Sequence, residues 1–113
     1  MLRVFISQPM AGESDEKIKE ERQRIIDSIV SEYGEEGEEI EIIDSYFEGA
    51  PADVRPLWFL GKAIELLSTA DMAYFAPGWK DARGCRLEHK AAEEYGIEII
   101  CDGRGGCNAG EGI

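Results

Sequence analysis

Basic residues are scarce in this chain: 12 Lys and Arg stand against 24 Asp and Glu, a net charge of −12. Such a field repels nucleic-acid backbones and anionic lipid surfaces, which argues against polymeric nucleic acid or a membrane as partner. Long apolar runs are missing as well, and none approaches the roughly 20 residues of a membrane span. With no basic stretch followed by an apolar one at the start, a cytoplasmic setting is expected. Cys85, Cys101 and Cys107 make an odd count with no C-x-x-C pair, so neither a disulfide framework nor a structural zinc site is expected. A metal shared by His89, Cys101 and Cys107 has no support from spacing. The G-x-G-x-x-G, P-loop and G-x-S-x-G fingerprints are all absent, and no cofactor is expected. The lone His89 reads as a solvated helix-surface residue, which leaves no Ser-His or Cys-His nucleophile.

What is present is a regular alternation of elements. At 113 residues the chain fits one domain over residues 1–101, followed by a Gly-rich tail over 102–113. Leu2 to Ser7 reads as a buried strand, and Gln8 to Glu13 as a turn. Ser14 then caps a helix whose Ile18, Arg22, Ile25, Ile26, Ile29 and Tyr33 recur at helical spacing. Much of the acid lies between Asp15 and Glu41, as a solvated face. Ile40 to Ile43 is a second strand and Asp44 to Val54 a loop. Pro56 opens a second helix, apolar around most of its circumference, so part of it is expected to pack against another subunit. Met72 to Ala76 and Ile97 to Cys101 are further strands, separated by a helix from about Asp81 to Tyr95. Strands alternating with helices imply an α/β fold with a parallel sheet. Ligands of such sheets sit beyond the carboxyl ends of the strands. That edge gathers Ser7 to Gly12, Asp44 to Glu48, and Pro77 to Gly84.

One acid is out of place. At roughly 100° per residue, Gly84, Leu87, Ala91, Ala92 and Tyr95 share one side of the last helix, with Cys85 at its border. Glu88 falls among them, whereas Arg86, His89, Lys90, Glu93 and Glu94 fall opposite. A carboxylate on an apolar arc is costly unless paired or used. An internal pair with Arg22 or Arg55 is one explanation. Carboxylate chemistry with Asp44 and Asp81 nearby is the other: a shielded carboxylate can attack an anomeric carbon to form a glycosyl ester.

The segment TADMAYFAPGWKDARGCRLEHKAAEEYGIEII, with VFISQPMAG at the start, resembles the nucleoside 2-deoxyribosyltransferase superfamily, in particular an uncharacterised branch found in phages and bacteria. The likeness rests on G-W-x-x-[SA]-x-G-[AC]-x-x-E followed by A-x-x-x-G, and covers under half of the chain. It implies a small flavodoxin-like, three-layer fold with a four- to five-stranded parallel sheet. It further implies cleavage or transfer at the N-glycosidic bond of a 2′-deoxynucleoside, with Glu88 as nucleophile and Asp81, one residue out of register, positioning the base. Ser7, Gln8, Met10 and Gly12 would lie in the loop around the sugar. Asp44, Gly78, Arg83 and Gly84 would line the crevice, with Trp79 or Phe47 as a stacking wall. Asp71 matches an acidic position of the family, although a strand-entry cap explains it equally.

Three departures qualify the likeness. Phe5 stands where the family has a tyrosine that orients the glutamate. Met10 stands where phosphate-binding relatives carry arginine, which favours an unphosphorylated nucleoside unless Lys80 or Arg83 supplies charge. Relatives complete each site from a neighbouring subunit, so a homodimer or larger assembly is expected, with Asn108 as the candidate contributor. The alternatives are a non-catalytic nucleoside- or nucleotide-binding module of the same fold and a partner-binding protein using the apolar second helix.

Overall fold

The structure is a computed structural model that describes residues 1–10, 12–34, 37, 39–45 and 55–101. The expectations for Phe47, Asn108 and the Gly-rich tail lie outside these residues. The elements are β1 (Leu2–Ser7), α1 (Asp15–Gly34), β2 (Ile40–Ile42), α2 (Pro56–Leu67), β3 (Met72–Phe75), α3 (Arg83–Glu94) and β4 (Glu98–Cys101), with a 3-10 turn over Trp79–Asp81. Ser14 starts α1 as expected: its hydroxyl accepts the backbone N–H of Lys17 at 3.2 Å.

All strand pairings are parallel, and the sheet runs in the order β2-β1-β3-β4. Period-two alternation sends the strand side chains to opposite faces. Val4 and Ile6 meet Ile25 and Ile29 of α1 on one face. Phe5, Ala73 and Phe75 meet Ala63 and Leu67 of α2 and Cys85 and Ala92 of α3 on the other. The result is a three-layer α/β/α arrangement of the flavodoxin-like kind, with four strands among the described residues. The chain steps from β1 outward to β2, then back across to β3, so the order switches between β1 and β3. Crevices open at such a switch, beyond the carboxyl ends of the strands.

At the opposite edge, Asp71 has a structural role. Its carboxylate accepts the N–H of Arg3 and its own N–H donates to the Arg3 carbonyl, both at 2.9 Å, tying the entry of β3 to β1.

Candidate active site

Ser7 is the last residue of β1 and points to the α2/α3 face, two positions after Phe5. Glu88 comes down onto it from α3, whose buried residues are Cys85, Glu88, His89 and Ala92. The Ser7 hydroxyl donates to Glu88 Oε1 at 2.6 Å, with Ser7 1% and Glu88 8% exposed. Burial pushes the Glu88 carboxyl up to about 7, and the Ser7 hydrogen bond holds it below where burial alone would put it. The neighbouring Cys85 thiol is pushed up to about 11, first by burial and further by the Glu88 charge, against the pull of its Ser7 hydrogen bond. Cys85 is therefore a neutral, free thiol at ordinary pH and a poor nucleophile. Neither Arg22 nor Arg55 forms an ion pair with Glu88 among the described residues. Instead, the buried Arg22 guanidinium donates to the Ile43 carbonyl at 3.0 Å. Burial lowers its pKa, against the charge of Asp44.

Glu88 lines a cleft of about 620 Å³, a size suited to a small organic molecule. Gln8, Pro9 and Met10 form the wall that follows β1, and Asp81, Arg83, Gly84 and Cys85 form the wall from the 3-10 turn into α3. Pro56, Phe59, Leu60 and Ala63 of α2 close a third, apolar side. Two carboxylates, Asp81 and Glu88, and one guanidinium, Arg83, are the charged groups among the described lining residues. The N-cap of α3, Ala82, offers no side-chain acceptor, so the first-turn N–H groups of that helix remain for solvent or a ligand.

The expected site residues separate into two groups. Glu88, Asp81, Gln8, Met10, Arg83 and Gly84 all line the cleft. Ser7 acts one step behind, through its bond to Glu88. Trp79 does not form a stacking wall: it is 4% exposed, and its ring packs against Phe75 and lies parallel to the His89 ring at 4.1 Å. His89 is accordingly not the solvated residue expected from the sequence but is 2% exposed. The physical reason is that the sheet, α2 and the 3-10 turn all cover α3. The sheet takes one side, and the 3-10 turn folds Trp79 over the next. The buried arc is thereby turned roughly 70° from the expected one, leaving Leu87 and Tyr95 exposed.

Gly78, Gly12 and Asp44 lie off the cleft lining. Gly78 has φ +87°, a left-handed value that glycine adopts without strain, at the entry to the 3-10 turn. Gly12 likewise has φ +81° at the turn before α1. The strong sequence signal of these glycines is thus conformational.

Sequence reasoning missed Ser45, which is 6% exposed, lines the cleft, and donates its hydroxyl to the Ile6 carbonyl at 3.1 Å. Its only sequence mark is a place just past β2. Cys101 is disulfide-bonded, whereas Cys85 is free. Among the described residues no group of three His, Cys, Asp or Glu side chains could hold a metal ion, and no helix is long and apolar enough to cross a membrane.

Residues 2–101 match the family described as a domain of unknown function (DUF4406). The chain belongs to that family. No curated protein and no solved structure matches it. What this family member does must therefore be argued from the Ser7–Glu88 pair and the cleft beside it.

Proposed function

We propose that the cleft takes a 2′-deoxynucleoside and that Glu88 cleaves or transfers its glycosyl group. The observation that carries this is a buried carboxylate, held by one hydroxyl donor, on the wall of a cleft of about 620 Å³. In the step envisaged, an ionised Glu88 oxygen bonds to C1′ as the C1′–N bond breaks. The base leaves with the bonding pair and takes a proton, with Asp81, on the wall that runs from the 3-10 turn into α3, as the group that manages it. Water or a second base then displaces Glu88 from the ester, restoring the carboxylate. Ser7 supplies the hydroxyl that Phe5 cannot, so the carboxylate is oriented from β1 despite the missing tyrosine.

A second reading, a binding module without turnover, also has an observation in its favour. A carboxyl with a pKa of about 7 is half protonated at neutral pH, and in that form it binds hydrogen-bond acceptors instead of attacking carbon. Incubation with a panel of deoxynucleosides separates the two. Turnover releases free base and rises with pH through 7, because the nucleophile is the ionised form. Glu88→Gln and Glu88→Ala should lower it by about a thousandfold or more. Ligand-induced thermal stabilisation with no base released would instead support the binding module.

A homo-oligomer remains part of the proposal, supported by the exposed Leu57, Trp58 and Phe59 on α2 beside the cleft. So does a cytoplasmic setting: the free thiol of Cys85 accords with it and the disulfide at Cys101 does not. The excess of acidic side chains favours a neutral nucleoside over polymeric nucleic acid or a lipid surface.

A further inference from the structure

A serine hydroxyl has one proton to give and two lone pairs to fill. Ser7 is buried, and its proton goes to Glu88 Oε1 at 2.6 Å. What fills its acceptor side decides how firmly that proton is committed. The Cys85 side chain is hydrogen-bonded to the same hydroxyl. Cys85 and Glu88 stand three residues apart on α3, hence on one face of it, and both line the cleft. Burial and the Glu88 charge keep the Cys85 thiol protonated at neutral pH, so its S–H is the donor and the Ser7 oxygen the acceptor. Cys85, Ser7 and Glu88 thus form hydrogen bonds that all run one way, ending on the carboxylate. A hydroxyl that accepts while it donates is the stronger donor. The reverse direction needs a protonated Glu88 donating to Ser7, and Ser7 donating to sulfur, a weak acceptor.

We infer that Cys85 is a positioning residue whose thiol donates to the Ser7 hydroxyl and so commits the Ser7 proton to Glu88. This rests on the reading of Glu88 as the nucleophile of the cleft, and it adds what favours the ionised form of that carboxyl. Other groups are placed to stay constant when residue 85 is changed. To the cleft beside Glu88, α2 contributes apolar side chains, and Asp81 and Arg83 are the other charged groups of the lining. His89, next on α3, packs against Phe75 and Trp79.

Infrared titration of the carboxyl stretch, with Glu88→Gln as the blank, tests this in Cys85→Ala and Cys85→Ser. Alanine and serine are close in size, so any cavity or admitted water is common to both, and their difference reads the donor. Glu88 should titrate about half a unit to one unit higher in Cys85→Ala than in Cys85→Ser. In a Ser7→Ala background the two should titrate together, because the connecting hydroxyl is gone. Equal midpoints with Ser7 present overturn the inference. So does a difference that survives Ser7→Ala, since a side chain at position 85 would then act on Glu88 directly. The unaltered protein supplies a check that needs no variant to fold: the thiol S–H stretching band should shift as Glu88 titrates, at about pH 7. A band that stays fixed overturns the inference. The pH midpoint of base release should follow the same order among the variants. Carboxyl titrations that separate without any base release leave Cys85 in its role and strike the glycosyl reading. Base release with equal titrations does the reverse.

Discussion

The two faces of the sheet are made from alternate residues of the same strands, yet they differ in kind. Against α1, Val4, Ile6, Ile25, Ile29 and Ala76 form an apolar cluster, and the two polar side chains buried beside α1, Gln8 and Arg22, donate to the main-chain carbonyls of Ile18 and Ile43. Against α2 and α3, the apolar cluster of Phe5, Phe75 and Trp79 adjoins three buried polar side chains, Ser7, Glu88 and His89. The first face does what a core requires and gains stability from close packing. The second gives up part of that stability to hold a carboxyl where water is scarce. Its polar groups are tied to particular partners, Glu88 to the Ser7 hydroxyl and His89 stacked on Trp79. The positions where a local pattern is broken are therefore the positions to examine for function.

The contrast can be broken by substitution, and the α1 face should give the largest effect on stability. Ile25→Ala or Ile29→Ala removes fully buried methylenes and should cost about 2–5 kcal/mol in denaturant unfolding. In the fraction that stays folded, nucleoside binding should be unchanged. A change in ligand preference without loss of stability would mean that the two faces are not separate in role.

Glu88→Gln should have the opposite sign and depend on pH. The folded carboxyl titrates at about 7, against an ordinary value of 4.5. Because the folded state holds the proton more tightly, Glu88 favours folding most below 4.5. That advantage is lost as pH rises to 7, then stays constant. The buried charge above pH 7 thus corresponds to roughly 3 kcal/mol, by order of magnitude. Unfolding measured at pH 4.5 and pH 8 should show Glu88→Gln close to the parent at the lower pH and more stable at the higher one, while turnover falls. Equal stability at both values would mean that the carboxyl is not desolvated. A smaller shift completes the series: Ser7→Ala removes the stabilising donor and should raise the midpoint of the pH–activity curve by about one unit.

Much of the architecture could be read from the residues because it rests on short-range rules. Ser14 before an acidic first turn, Ile18, Ile25 and Ile29 at helical spacing, and compact apolar runs at β1 and β3 each signal their element locally. Glu88 was visible for the same reason, as one charge breaking an apolar arc. The rest depended on contacts distant in sequence. His89 and Trp79 are ten residues apart, and their stacking follows from a 3-10 turn that a helical projection does not contain. Ser45 becomes a functional candidate only when the ends of β1 and β2 are side by side. The pairing of Ser7 with Glu88 spans 81 positions and is set by the sheet order.

The central claim is that the carboxyl sheltered by Ser7 attacks a sugar carbon. Incubation with a 2′-fluoro-2′-deoxynucleoside, whose fluorine slows hydrolysis of a glycosyl ester, followed by intact-mass measurement and peptide mapping, tests it directly. One added fluorodeoxyribosyl group is expected, located on Glu88 and absent from Glu88→Gln. Base release with no adduct on Glu88, or an adduct on another side chain, would contradict it.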